Sequence, residues 1–102
     1  MTSMNVETSV LESRATTFAA LSDPIRLKIL DRLAHSQQCV CDLQEALAIA
    51  PNLLSYHLRV LRNAGLVAST RRGRWVDYRL ADDAVATVRA ALPSPMIEAV
   101  TQ

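Results

Sequence analysis

Apolar residues recur at helical spacing along the first third of the chain and predict two helices. Ser22 or Asp23 can cap the second helix, and Pro24 suits its first position because a first-turn N–H has no partner within the helix. The apolar spacing carries this second helix to about Ala34. The first helix covers roughly residues 6–21, and its apolar members are Val10, Leu11, Ala15, Phe18 and Leu21.

A helix-turn-helix pattern follows a polar break at residues 35–38. A short helix is predicted from about Val40 to Ala48 and, after a tight turn, a longer helix from about Pro51 to Ala64. Gly65 can end that longer helix in the left-handed conformation. At about 100° per residue, three side chains of the longer helix share one arc and are predicted to face the core: Leu54, Leu58 and Leu61.

Beyond residue 65 the helical period gives way to alternation. Residues 75–80 predict a strand with one buried face, and residues 66–70 can supply its partner. The link at residues 71–74 is a short hairpin tip in which Gly73 is free to take a positive φ. Four residues are assigned to strand packing and not to base stacking: Trp75, Val76, Tyr78 and Leu80.

A last helix can be capped by Asp82 or Asp83 and is stopped by Pro93, after which the chain is predicted to be a loosely held tail. The pattern therefore predicts a mainly α protein with one small β-hairpin. We expect one domain over residues 1–102, with its core at about 15–92 and loose ends.

Composition limits the classes of protein that this chain can represent. Its 102 residues are half hydrophobic, which allows one modest core and leaves no room for a separate catalytic domain. No apolar run approaches the roughly 20 residues that cross a bilayer, and the N-terminus lacks the layout of a signal peptide, so we expect a cytoplasmic protein that does not enter membranes. An enzyme is not expected, because Ser55 and His57 point to different faces of one helix and form no nucleophile and base pair.

Charge is distributed unevenly although the net charge is only +1. Residues 55–80 carry six arginines against Asp77 alone, a local charge of +5, and the remainder of the chain carries −4. A basic block in an otherwise acidic protein is typical of nucleic-acid binding. A solvated arginine-rich surface is the alternative.

Cys39 and Cys41, separated by one residue, lie directly before the helix-turn-helix pattern. In a reducing cytosol we expect free thiols that serve as a metal or redox site, and not a structural disulfide. In a regular helix the two side chains would point about 200° apart, whereas in extended chain they point the same way. The pair lies at a helix N-terminus, where the helix dipole favours the thiolate. The alternative is that both are small buried hydrophobic residues.

Three ordered motifs now stand out: residues 39–43 (CVCDL), 54–67 (LSYHLRVLRNAGLV) and 73–80 (GRWVDYRL). Together they resemble the ArsR/SmtB family of metal-responsive repressors, over about residues 15–92. The resemblance implies a winged helix-turn-helix homodimer that binds double-stranded operator DNA and releases it when metal arrives. The first and last helices would then form the dimer surface.

On this resemblance, the polar face of the longer helix would enter the major groove and the hairpin would be a basic wing. The wing arginines would contact phosphates, giving affinity and salt dependence. His57 is interpreted as a partly buried structural residue, with a DNA contact or a metal ligand as the alternative. The expected DNA contacts are Asn52, Ser55, Tyr56, Arg59, Arg62, Arg71, Arg72 and Arg74.

The resemblance also bears on the inducer, because CVCDL is the arrangement of the family's arsenic sensors. Thiolates select thiophilic ions, and arsenite and antimonite bind sulfur in low-coordinate arrangements. Gln44 replaces a third family cysteine, so the third ligand is expected to be solvent, a small thiol or nothing. The N-terminal cysteines of the cadmium and lead sensors are absent, and the last helix lacks the histidine of the zinc sensors. We expect a bound ion to pull the first turn of the short helix out of helical geometry.

The leading hypothesis is therefore a repressor released when arsenite or antimonite binds Cys39 and Cys41. A second is a repressor of the same fold that is released by another soft metal, such as cadmium or lead, or by thiol oxidation. A third, from another class, is a winged-helix module that binds protein partners and not DNA.

Overall fold

The computed structural model describes residues 2–101, and side-chain surroundings for residues 6–100. The outermost residue of each end, both within the ends predicted to be loose, lies outside the described residues. The helices over that range are α1 (Thr2–Leu21), α2 (Pro24–His35), α3 (Val40–Leu47), α4 (Pro51–Asn63), α5 (Ala84–Ala91) and α6 (Ser94–Thr101). The strands are β1 (Gln38–Cys39), β2 (Val67–Arg72) and β3 (Trp75–Leu80).

The helix boundaries follow the capping residues in the sequence. Asp23 is the N-cap of α2, and its carboxylate accepts hydrogen bonds from the backbone N–H of Ile25 at 2.8 Å and of Arg26 at 3.2 Å. After α4, Gly65 adopts a φ of 77°, and the backbone N–H of Leu66 donates back to the carbonyl of Leu61. The predicted caps at residues 23 and 65 are confirmed.

Asp23 should give the stability of the fold a measurable acid dependence. Burial acts to raise the pKa of this carboxyl, but the two backbone N–H donors and nearby positive charge hold its pKa below the ordinary value of 3.8. A lowered folded-state pKa stabilises the fold above the unfolded-state pKa, and that contribution is lost as the pH falls through the lowered value. We expect the gap in free energy of unfolding between wild type and Asp23→Asn to narrow below about pH 4, measured by urea titration. Asp31→Asn, an exposed change on the same helix, is the control.

The core lies between α2, the helix pair α3 and α4, and the sheet. Leu54, Leu58 and Leu61 of α4 are all buried, so the predicted core arc is confirmed. They pack with Ile29 of α2 and Leu43 of α3 in one hydrophobic cluster. This cluster fixes which face of α4 is turned away from the core.

The sheet has three antiparallel strands in the order β1-β3-β2. Strands β2 and β3 form the predicted hairpin, and Gly73 at its tip has a φ of 60°. Strand β1 lies within and just after the segment that the sequence predicts to be a polar break, and it pairs Gln38 with Tyr78 and Cys39 with Asp77. A hairpin beside the α3–α4 pair gives a winged helix-turn-helix.

Both ends of the chain are helical within the described residues. Helix α6 occupies the segment that the sequence predicts to be a loose tail, and α1 begins earlier than predicted. Asp83 is the N-cap of α5, as expected, although its side chain makes no capping hydrogen bond. None of the helices within residues 2–101 is both long and apolar enough to cross a membrane. Several large apolar side chains of α1 and α5 are exposed: Val6, Val10, Leu11, Phe18 and Val85.

Candidate nucleic-acid interface and cysteine site

One face of α4 presents the polar residues that are predicted to read DNA. Leucines 54, 58 and 61 hold the opposite face in the core, so the polar face is turned to solvent. Tyr56 is 50% exposed, which is high for a side chain that buries well. The structure brings together on this surface the predicted residues Asn52, Ser55, Tyr56, Arg59 and Arg62, all of which are exposed.

The turn between α3 and α4 is held by hydrogen bonds. Ala48 adopts the left-handed conformation, with φ 52° and ψ 43°, and its N–H donates to the carbonyl of Gln44. The side-chain amide of Gln44 donates to the carbonyl of Ile49. Gln44 stands where the family pattern has a third cysteine, and here its side chain stabilises the turn.

His57 is the inward-facing polar residue of α4. It is 4% exposed, and its Nδ1 lies 3.1 Å from Nη1 of Arg26, itself only 9% exposed. Arginine has only donors, so Nδ1 must be the acceptor and the ring proton sits on Nε2. Arg26 also donates to the carbonyls of Ala20 at 2.8 Å and Ala19 at 3.0 Å, at the C-terminal end of α1. His57 is therefore a structural residue, more deeply buried than the sequence predicts.

The wing carries three predicted phosphate contacts, which the structure places in two different settings. Arg71 and Arg74 are exposed beside the tip. Arg72 instead donates to Asp77, with Nε 2.7 Å from Oδ2 and Nη2 3.2 Å from Oδ1. A phosphate contact by Arg72 would have to compete with this ion pair. Trp75, predicted to pack within the strand, is 50% exposed.

Asp77 is a buried acid in the basic wing, and the sequence pattern does not single it out. The Arg72 guanidinium beside it holds the pKa of Asp77 below its ordinary value against the opposing effect of burial, and the amide of Gln37 adds a hydrogen bond at 3.2 Å. The same pairing raises the pKa of Arg72. The alternation of apolar and polar residues along β3 does not indicate this ion pair, because Arg72, the partner of Asp77, lies on the other strand of the hairpin.

The cysteine pair joins a strand to a helix. Cys39 and Cys41 form a disulfide, so the expectation of free thiols is wrong for this structure. Cys39 is extended, with φ −75° and ψ 159°, and is the N-cap of α3, so its side chain turns toward Cys41 in the first turn. The Cα atoms are 5.3 Å apart, within the range that a disulfide spans. The sulfurs meet while α3 stays regular from Val40 to Leu47.

A third donor lies beside the two sulfurs. The ligand atoms of Cys39, Cys41 and Asp42 all lie within 4.8 Å of one another. The sequence leaves the third ligand to solvent, a small thiol or nothing. The backbone N–H of Asp42 also donates to Sγ of Cys39 at 3.3 Å. When the disulfide is reduced, the two sulfurs and one carboxylate oxygen of Asp42 form a donor set that suits a thiophilic ion.

An open polar cleft adjoins this site at Asp42. The cleft has a volume of about 570 Å³ and is lined by Arg32, Ser36, Gln37, Gln38, Asp42, Glu45 and Ala46. Asp42 therefore lies both on the cleft wall and next to the sulfurs.

The fold and these surfaces define a winged helix-turn-helix protein. Residues 23–69 match the family described as "Bacterial regulatory protein, arsR family". A transcriptional repressor SmtB homolog of Synechocystis is 43% identical over 72% of this chain, and the arsenical resistance operon repressor of Bacillus subtilis is 41% identical over 67%. The chain belongs to the ArsR family.

The chain matches only part of the length of these two relatives, and it also resembles a solved structure. The match spans 56% of the length of the Synechocystis protein and 66% of that of the Bacillus repressor. A homodimeric winged helix-turn-helix DNA-binding domain of Mycobacterium bovis superposes with a TM-score of 0.72 at 27% identity, covering 93% of this chain and 83% of its own.

Proposed function

We propose that this protein is a cytoplasmic transcriptional repressor that binds operator DNA as a homodimer and is released when arsenite or antimonite binds Cys39 and Cys41. The observation that carries this proposal is the placement of the cysteine pair at the start of α3, one helix and one turn before an exposed polar α4. The cysteine pair lies close to α4 and to the wing, so a chemical change in the pair can alter both DNA-facing elements.

DNA binding is supported by the shape and charge of two neighbouring surfaces. The polar face of α4 fits the major groove, and the arginines of the wing can reach phosphates on either side. The exposed apolar side chains of α1 and α5 need a cover, and a second copy would provide it. A two-fold dimer would require half-sites about one helical turn apart or a multiple of that distance.

The chemistry of the inducer follows from the donor set. Arsenite is As(OH)₃ near neutral pH, and each thiol that forms an As–S bond releases one hydroxyl group of arsenite as water. Two cysteines therefore leave a third position, which Asp42 is placed to take or to hydrogen-bond. The disulfide must first be reduced by two cellular thiols, which are themselves oxidised to a disulfide, because a disulfide has no thiol to offer.

A second candidate is a repressor that is released by oxidation. The disulfide between Cys39 and Cys41 supports it, because the fold accepts the oxidised pair without unwinding α3. Cadmium or lead would use the same sulfurs with the carboxylate of Asp42. A module that binds proteins and not DNA remains the alternative of another class, and a flat salt response would favour it.

The test is fluorescence anisotropy of labelled DNA from immediately upstream of the coding sequence, with reduced protein. We expect binding without inducer and release on titration with arsenite, and weaker responses to cadmium and zinc. Tight binding that arsenite leaves unchanged, while an oxidant releases it, would select the second candidate. Absence of DNA binding would contradict both.

The salt dependence of the affinity for DNA should reveal the phosphate contacts made by the wing arginines. The logarithm of the affinity should fall linearly with the logarithm of salt concentration, with a slope of about −0.9 per phosphate contacted. Because Arg71→Ala and Arg74→Ala each remove one phosphate-binding side chain from each protomer, and so two from the homodimer, we expect each to make that slope shallower by about two and to weaken binding to all sequences alike. Glu12→Ala, an exposed change on α1, should leave the slope unchanged. An unaltered slope in both arginine variants would contradict the proposed role of the wing.

A further inference from the structure

The cysteine site has a direct backbone connection to the wing. Strand β1 ends at Cys39, which is the cross-strand partner of Asp77 in β3. Because partners in an antiparallel pair place their side chains on the same face, Cys39 and Asp77 share one face of the sheet. Cys39 is thus connected to β3 by a strand pairing that does not involve α4.

Asp77 extends this connection with its side chain. Its carboxylate is 5% exposed and accepts from Arg72 on the neighbouring strand and from Gln37, two residues before Cys39. The bidentate pair fixes the direction of the guanidinium. One carboxylate therefore ties together the segment before the cysteines and the arginine at the end of β2.

We propose that Asp77 is a positioning residue that transmits the state of the cysteine pair to the wing. This inference rests on the proposed function and adds a second route to DNA release. When the pair changes between dithiol, disulfide and inducer-bound forms, the backbone of β1 shifts. Asp77 then changes how it holds Arg72, and the wing presents its charge to phosphates in a different direction.

The chain contains a built-in reporter for this movement. Trp75 is its single tryptophan. It is half exposed, and it is the cross-strand partner of Arg72 at the base of the hairpin tip. Fluorescence emission of Trp75 therefore reports the environment of the wing, with no label and no DNA.

The first experiment compares Trp75 emission in the reduced, oxidised and arsenite-treated protein. We expect a shift between these forms in wild type and loss of most of that shift in Asp77→Asn. Asp82→Asn, which removes an exposed carboxylate just beyond the same strand, should behave as wild type. Arg72→Gln changes a residue that is 64% exposed. It should reproduce the loss even if Asp77→Asn folds poorly.

The second experiment measures the dissociation constant for DNA of reduced protein with and without arsenite. We expect the ratio of the two constants to fall about fivefold or more in Asp77→Asn relative to wild type. Asp77→Glu, which keeps the carboxylate, should recover part of the ratio. A purely structural role would lower the urea midpoint of the variant but leave both the ratio and the emission shift in place.

The outcomes separate this inference from the repressor proposal. If arsenite and oxidant both fail to release DNA from wild type, the proposed function fails, and the emission experiment still decides the coupling because it uses no DNA. If Asp77→Asn keeps the wild-type ratio and emission shift, the role of Asp77 is overturned. A wild-type emission that is identical in all three forms overturns it as well.

Discussion

Arg26→Met will lower the free energy of unfolding by about 3 kcal/mol, because it leaves buried acceptors without their donors. Arg26 donates to the carbonyls of Ala19 and Ala20 and to Nδ1 of His57. The last carbonyls of a helix have no partner within it, so this side chain completes the end of α1. Its charge is also favoured there by the helix dipole. Methionine fills similar space but replaces none of these bonds.

Urea unfolding at one fixed protein concentration measures this loss, since a dimer would make stability depend on concentration. Lys28→Met makes the same replacement on the exposed side of α2 and should stay within about 0.5 kcal/mol of wild type. An Arg26→Met protein as stable as Lys28→Met would show that the hydrogen bonds of Arg26 to α1 and α4 do not stabilise the fold. Because His57 lies on α4, we also expect weaker DNA binding from the variant.

The sequence predicts the helices of this fold because their apolar period is long and their caps are chemically distinct. Asp23 and Gly65 are clear examples, and both act as predicted. Strand β1 could not be predicted, since two residues are too few to show alternation. The pairing of that strand with β3 is a long-range contact, and it is what brings Cys39 beside Asp77.

The residues of the site can be predicted from the sequence, but their connections cannot. The exposed face of α4 follows from helical geometry, so its polar residues are found together. The ion pair of Arg72 with Asp77 forms across the hairpin, so one predicted phosphate contact would have to compete with it. Asp42 does not stand out in the sequence because an acid in the first turn of a helix is common, and only the structure places it beside both sulfurs.

Cys39→Ser will keep DNA binding and lose release by arsenite. Cys39 is the N-cap of α3, where its sulfur accepts from the N–H of Asp42. Serine is among the preferred N-cap residues, so its hydroxyl can replace that hydrogen bond and preserve the helix. The variant therefore removes a thiolate ligand while keeping the local structure. We expect its affinity for DNA without inducer to stay within about twofold of wild type.

The response of the reduced wild type should be a roughly 5- to 150-fold loss of affinity on addition of arsenite, the usual size of coupling between two sites. That factor should fall to one in Cys39→Ser and in Cys41→Ser, measured by anisotropy with reductant present. Asp42→Asn retains both sulfurs, so arsenite should still release the DNA. Because the variant loses the carboxylate, it should need more arsenite for the same release. Release that survives in either serine variant would place the arsenite site elsewhere.

Oxidation provides the decisive contrast between the two candidate functions. The disulfide occupies both sulfurs, so the oxidised wild type should not respond to arsenite until it is reduced. If the oxidised protein still binds DNA tightly, the disulfide only blocks the inducer, and arsenite sensing is the function of the pair. If oxidation alone releases DNA, and neither serine variant responds to it, the same pair acts as a thiol switch.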